Sequence, residues 1–201
     1  LGSVGQLGFP HPLPVALGAG VPVTNREAAG ELLSDAIRFV TLWPELTGAE
    51  LAALMPHMRG VSALLTVYGR ERVMLLNHCP ERVVRGLAAG RAECALCKPE
   101  HRACASVDPA LPDRMGYRFP LGRTRMPEGC VVEVFNALPT DLARQESHRR
   151  ALGAGMLLSF TVEPIQEQLA VTRRFRALMN TGEAPEENGP STAGHFVRGV
   201  E

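Results

Sequence analysis

Short apolar runs alternate with amphipathic stretches along much of this chain. Six short apolar runs indicate strands, the first of them a strand and turn interrupted by prolines and glycines; they cover residues 13–23, 37–42, 61–67, 73–76, 130–135 and 156–160. Strands that are apolar along their whole length are typical of parallel sheets with helices on both faces. Because helical patterns separate several of these runs, the sequence predicts an α/β fold with a parallel sheet.

The helices are indicated by capping residues and by apolar residues spaced three or four apart. Four are predicted, over residues 26–33, 49–58, 140–152 and 164–179. Asn25 would cap the first of them, and Thr47 and Glu50 would form a capping box before the second. The last helix would face the core with an apolar stripe and turn Arg173 and Arg174 to solvent; the stripe consists of Ile165, Leu169, Thr172, Phe175 and Met179.

Residues 78–128 break this alternation, because they contain several prolines and few periodic apolar positions. A segment of this length without a helical or strand pattern is more often functional than part of a core. It contains four of the five cysteines, and we expect it to be a Cys-rich insert. Residues 182–190 are polar, which indicates a flexible segment.

The composition is that of a soluble globular domain. Its 201 residues suffice for one domain, and the 21 basic and 21 acidic side chains cancel, so no overall field favours nucleic acid or a membrane. No apolar run approaches the roughly 20 residues of a membrane-spanning helix. The chain starts at Leu1 without a signal peptide. We therefore expect a cytoplasmic protein whose sequence here begins inside a longer chain.

The cysteines predict a metal site rather than disulfides, which are rare in the cytoplasm. Cys94 and Cys97 form a C-x-x-C pair, Cys104 follows seven residues later, and Cys79 lies at the end of a predicted strand. Four thiolates suit an iron–sulfur cluster or zinc, for which His101 would be a further ligand. Free or redox-active thiols are the alternative.

The fifth cysteine lies outside the Cys-rich insert. Cys130 starts a predicted strand, and a lone cysteine there is more often a small core residue than a ligand. The predicted ligands are therefore the other four, with Cys130 as the substitute.

Six short sequence motifs occur in order along the chain and resemble the later part of the collagenase-like peptidase family (peptidase class U, family 32). They are Val23-Thr24-Asn25, Leu42-Trp43-Pro44-Glu45-Leu46, Val67-Tyr68-Gly69-Arg70, His78-Cys79-Pro80, residues 113–120 (DRMGYRFP) and residues 192–200 (TAGHFVRGV). The resemblance extends from about Gly5 to Glu201. It implies a (β/α)-barrel of the TIM type, of which this chain is the second half.

In this interpretation residues 1–181 form the partial barrel domain, and residues 182–201 form a flexible C-terminal tail. Half a barrel leaves exposed edge strands. It would need the missing N-terminal half or self-association.

The resemblance implies one of two activities. The family is named for peptidases that degrade collagen, but other members use an iron–sulfur cluster to hydroxylate RNA bases or the ubiquinone ring without molecular oxygen. Prephenate is the implied hydroxyl source for the RNA reactions. The clustered thiolates favour hydroxylation with a [4Fe–4S] cluster, because the sequence has neither G-x-S-x-G nor H-E-x-x-H. A peptidase acting on peptides and a non-catalytic, metal-stabilised module are the alternatives.

Several polar residues follow predicted strands, where barrel enzymes place their active sites. The candidates for catalysis are Glu45, His78 and His195, and the candidates for substrate binding are Tyr68, Arg70, Asn136 and Glu163. Each also has a structural interpretation. Glu45, Asn136 and Glu163 could cap helices, Arg70 could form a loop salt bridge, and the two histidines could be surface residues.

Overall fold

The computed structural model describes residues 1–9, 12–80, 83, 110–126, 129–183 and 189–198. Its described strands are β1 (Val15–Leu17), β2 (Ile37–Thr41), β3 (Ser62–Gly69), β4 (Arg72–Leu76), β5 (Ala110–Pro112), β6 (Arg118–Met126), β7 (Gly129–Phe135), β8 (Thr140–Asp141) and β9 (Gly155–Ser159). Its described α-helices are α1 (Arg26–Leu32), α2 (Gly48–Leu54), α3 (Glu146–Leu152) and α4 (Ile165–Thr181). None of these helices has the length and apolar content that crossing a membrane requires.

The chain divides into two units, each with its own sheet. The first, which we call the parallel unit, comprises Leu1–Gly69, Thr140–Phe160 and Ile165–Glu201. The second, the antiparallel unit, comprises Arg70–Pro139 and Thr161–Pro164. The predicted α/β class is confirmed as a mixed α/β structure that contains parallel strands, and the described strands close no barrel.

In the parallel unit, the four parallel strands are neighbours in the sheet in the order in which they occur along the chain. β1 pairs with β2, β2 with β3, and β3 with β9, all in parallel. The short β8 runs antiparallel to the end of β3, where Gly69 faces Thr140. The core beneath this sheet includes fully buried residues from strands and helices, among them Leu17, Val40, Leu51, Val67 and Leu178.

The predicted helix caps are confirmed. Asn25 Oδ1 accepts the backbone N–H of Ala28 at 2.8 Å. Thr47 Oγ1 accepts the N–H of Glu50 at 3.2 Å, while Glu50 Oε2 accepts the N–H of Thr47 at 2.8 Å. Each cap satisfies N–H groups that the first turn of a helix leaves without a partner.

The predicted apolar stripe of α4 is wrong. Ile165, Leu169, Thr172 and Met179 are exposed, and Phe175 is the one member of the stripe that is buried. The buried face instead carries Val171, Arg174, Phe175 and Leu178. Because the buried face includes a charged residue, Arg174, the spacing of apolar residues indicated the wrong face of the helix as the one that packs on the core.

The helix predicted from residue 140 starts later than expected. Residues 140 and 141 form β8, and a short 3-10 helix over Ala143–Gln145 leads into α3. Asp141 Oδ1 accepts the N–H of Ala143 at 3.0 Å, which stabilises this turn. Gly153, at φ +70°, ends α3.

The antiparallel unit has the strand order β4-β7-β6-β5, and every neighbouring pair is antiparallel. Parallel pairing of the runs 73–76 and 130–135 was therefore a wrong prediction. Part of β4 is apolar without being buried, because Val73, Met74 and Leu75 are all more than half exposed. The small core of this unit consists of Leu121, Val132 and Val134. β5 and β6 are strands that the apolar pattern did not indicate.

In the first turn of α3, Glu146 is a buried carboxylate with two arginine partners. Arg149 donates to its two oxygens from Nε and Nη2, both at 2.7 Å, and Arg150 Nε donates to Oε1 at 2.6 Å. The hydrogen bonds from Arg149, supported by Arg150, hold the pKa of Glu146 below its usual range, although burial acts in the opposite direction. The same contact raises the pKa of Arg149.

Replacing Glu146 by glutamine is expected to destabilise the fold in a pH-dependent way. Because the pKa of Glu146 is lower in the folded than in the unfolded chain, the carboxylate stabilises the fold above its unfolded-state pKa of about 4.3. This contribution disappears as the pH falls through the lower, folded-state value. Urea unfolding would measure the difference in the free energy of unfolding between wild type and Glu146→Gln. This difference should decrease as the pH is lowered from about 7 to about 3.

The matched control for this experiment is Glu31→Gln, which removes an exposed carboxylate from α1. Its free energy of unfolding should stay close to that of the wild type over the same range. A Glu146→Gln difference that stays constant with pH would contradict the prediction.

Candidate functional site

Three of the four predicted substrate-binding residues lie together in the antiparallel unit. Arg70 Nη1 donates to the backbone carbonyl oxygen of Asn136 at 2.9 Å and also to that of Ala137. Arg70 Nε lies 3.4 Å from Glu163 Oε1. We call Arg70, Asn136, Ala137 and Glu163 the Arg70 cluster.

Glu163 is held on both sides of its carboxylate. Oε2 accepts the backbone N–H groups of Thr161 at 2.7 Å and Val162 at 3.1 Å, and Oε1 faces Arg70. The side chain of Glu163 is only 1% exposed and that of Arg70 16%. The two charges therefore form a largely buried ion pair, which fixes the backbone at residues 136–137 and 161–162.

The sequence places these residues just after strands. Arg70 directly follows β3, and Glu163 comes four residues after the end of β9, the parallel neighbour of β3. At the ends of these strands Gly69 lies very close to Ser159: a Cβ at Gly69 would come within 2.6 Å of the Ser159 carbonyl oxygen. Glycine at this position therefore permits the close approach of the two strand ends.

The half-buried Asn136 takes part in the cluster through its backbone. Its backbone is fixed twice, by the carbonyl contact to Arg70 and by an N–H bond to the carbonyl oxygen of Glu71 at 2.8 Å. Among the described residues, its side-chain amide has no hydrogen-bond partner. The predicted role of Asn136 in substrate binding stays a prediction.

Tyr68 belongs to the parallel unit and is buried. Its hydroxyl donates to Glu167 Oε1 at 3.0 Å. Its ring packs against Phe160 and Phe175, with centroids 5.8 and 6.3 Å away. These contacts give Tyr68 a structural role in joining β3 to α4, and a direct contact with substrate stays a prediction.

Two of the predicted catalytic residues also lie in the parallel unit. Glu45 is exposed, and its Oε2 accepts the indole N–H of Trp43 at 3.3 Å. His195 is half-buried in a 3-10 helix over Gly194–Phe196. This segment is attached to the sheet, because Thr192 bridges to Thr140. Within the described part of the chain neither Glu45 nor His195 forms an ion pair.

The cysteine prediction falls partly outside the described residues, which exclude Cys94, Cys97, Cys104 and His101. Cys79 has a buried, free thiol; the preceding His78, the third predicted catalytic residue, is exposed. The described residues contain no group of three or more histidine, cysteine or acidic side chains placed to hold a metal ion.

The register of the antiparallel sheet relates Cys79 to Cys130. Leu76, the last residue of β4, pairs with Val132 of β7. Cys79 comes three residues after Leu76, and Cys130 comes two residues before Val132. Because the strands are antiparallel, both cysteines belong to the same end of the β4–β7 pair. Cys130 was predicted only as a substitute ligand.

The parallel unit contains a buried ion pair that the sequence did not predict. Arg174 Nη2 contacts Asp141 Oδ2, and both residues are buried. The guanidinium of Arg174 also lies 4.9 Å from the centre of the Phe175 ring. The prediction that Arg174 faces solvent was wrong, and no local signal in the sequence pairs it with a residue 33 positions away.

No protein-family model, curated protein or solved structure matches this chain. Its function therefore has to be inferred from the arrangement of its own residues.

Proposed function

We propose that this chain is the second half of a barrel-type enzyme of the collagenase-like peptidase family, and that it hydroxylates an RNA base or a similar ring with an iron–sulfur cluster. The observation that carries the proposal is the buried free thiol of Cys79. It belongs to the end of the β4–β7 pair that also contains the backbone of Cys130. The other three cysteines follow Cys79 along the chain, in the same connection.

The order of the parallel strands supports the barrel part of the proposal. In a (β/α)-barrel each strand pairs with the strands before and after it, whereas a doubly wound sheet reverses direction at a switch point. β1, β2, β3 and β9 follow the first pattern. Among the described strands β9 pairs only with β3, so its other edge could receive a strand from an N-terminal half or from a second copy.

The donor chemistry supports the cofactor. Four cysteine thiolates are the usual ligands of a [4Fe–4S] cluster, which would supply electron transfer when bound. Cys79, Cys94 and Cys97 would be three of the ligands. The strand register makes Cys130 an equal candidate with Cys104 for the fourth.

The Arg70 cluster would position the substrate rather than react with it. Arg70 and Glu163 form an ion pair, and Arg70 Nη1 and Glu163 Oε2 bond to backbone groups, so both would act on the substrate through Asn136. The Asn136 amide can donate and accept at once, as the edge of a nucleobase or a ring carbonyl requires. Arg70 is a positioning residue in this proposal.

The test is the metal content of freshly, anaerobically purified protein. We expect about four irons and about four sulfides per chain and a broad visible absorbance. Cys79→Ser should lower the iron content to well under one per chain. Cys104→Ser and Cys130→Ser form a matched pair, since only the variant that removes a ligand should lose iron.

Two other outcomes would overturn the proposal. A colourless protein that contains only zinc would leave a metal-stabilised module. Peptide hydrolysis that survives replacement of all five cysteines by serine would favour the peptidase alternative.

A further inference from the structure

A cavity of about 120 Å³ lies in the parallel unit, at the amino-terminal edge of its sheet. It is at the start of β2 and β3, so it belongs to the opposite edge from the strand ends discussed above. Its exposed lining is mostly polar and carries two arginines and a serine; the lining residues include Leu33, Ile37, Val61, Ser34, Arg38 and Arg59. Leu33 and Ile37 are almost completely buried.

Both arginines are anchored to the backbone through a single nitrogen. Arg38 Nη1 donates to the carbonyl oxygen of Asp35 at 2.7 Å, and Arg59 Nη1 donates to that of Gly30 at 3.2 Å. A guanidinium has five N–H donors, so each keeps most of its donors for another partner. In the described ranges neither arginine forms an ion pair. Two positive charges are thus held beside one small cavity without a counter-charge bonded to them.

The backbone at this cavity is strained. Arg59 has φ +50°, and it is the one residue other than glycine with a positive φ in the described part of the chain. Gly60 follows it with φ +78°. A non-glycine residue in the left-handed region costs energy, and such residues are concentrated at functional sites. Glycine at residue 59 would relieve the strain, but it would remove one of the two guanidiniums.

We propose that this cavity binds the phosphate group of a small anion. Paired guanidiniums match the geometry of phosphate oxygens, and the Ser34 hydroxyl adds a further donor. The volume admits a single phosphate with little attached to it. Asp35 also lines the cavity, and its carboxylate limits the affinity. The site is independent of the proposed iron–sulfur chemistry.

The experiment titrates inorganic phosphate, and separately glycerol phosphate, into the full chain at constant ionic strength, with binding followed by calorimetry. We expect saturable binding of one anion per chain. Arg38→Gln should weaken it by about tenfold or more, because charge-assisted hydrogen bonds are lost. Asp35→Asn should strengthen it. The matched control Arg26→Gln removes an exposed arginine of α1 that does not line the cavity and should leave binding unchanged.

The two anions distinguish the sources of the phosphate group. Tighter binding of glycerol phosphate would indicate a phosphorylated small molecule, and tighter binding of inorganic phosphate would indicate the free ion. Absence of saturable binding, or equal affinity in wild type and Arg38→Gln, would overturn the proposal. Arg38 is exposed and makes one backbone contact, so this variant should fold, which circular dichroism would verify.

Discussion

Replacing Asp141 by alanine is expected to lower the free energy of unfolding by about 3–5 kcal/mol, because it leaves a buried arginine without its counter-charge. Arg174 and Asp141 are both less than one-tenth exposed. Within the described residues, Nε and Nη1 of Arg174 have no hydrogen-bond partner, so the contact with Asp141 is the main compensation for burying the charge. The substitution also removes the acceptor for the N–H of Ala143.

Urea unfolding followed by circular dichroism would measure this loss, and two further variants separate its causes. Asp141→Asn keeps an acceptor for Ala143 but removes the charge, so it should retain most of the destabilisation. The double variant Asp141→Leu with Arg174→Met should recover much of it, since apolar replacement of a buried ion pair is often close to neutral. An Asp141→Asn variant as stable as wild type would show that the pair does not stabilise the fold.

Replacing Glu163 by alanine is expected to destabilise the antiparallel unit by a similar amount, about 3–5 kcal/mol. Among the described residues Glu163 is the carboxylate that forms an ion pair with Arg70, and its side chain is 1% exposed. Its loss would leave the Arg70 guanidinium partly buried and uncompensated. It would also leave the N–H groups of Thr161 and Val162 without their acceptor.

The matched control is Glu133→Ala in the same unit. Glu133 forms an ion pair with Arg72 at 2.8 Å, but the two side chains are 28% and 57% exposed. Its removal should cost no more than about 1 kcal/mol. Amide hydrogen exchange at β4 and β7 would report both effects locally. Equal losses for the two variants would mean that burial adds nothing to the Arg70–Glu163 pair.

The elements of the fold could be predicted wherever their signals are local. A cap such as Thr47–Glu50 depends on residues three apart, and the apolar runs of β2, β3 and β9 are visible in the sequence. Strand direction is not a local property. The runs of β4 and β7 have the same apolar character as those of the parallel strands, yet they pair antiparallel and part of β4 is exposed.

The sequence could predict which residues belong to the candidate site, but not the contacts that they make with one another. Arg70, Asn136 and Glu163 were chosen because each follows a strand, and the structure brings them together. Their mutual contacts could not be inferred, because an ion pair between residues 70 and 163 depends on the tertiary fold. The same holds for Arg174, whose partner Asp141 decides which face of α4 is buried.

The pairing of Gly69 with Thr140 has a consequence for how the chain can vary. The antiparallel unit's main segment leaves the parallel unit after Gly69 and returns to it at Thr140, and these residues are partners across one antiparallel ladder. Such partners lie only about 5 Å apart between Cα atoms. A tight turn could span this gap. The segment between them is therefore an insertion whose length can vary, because the entropy of closing a loop depends only weakly on the number of residues in it.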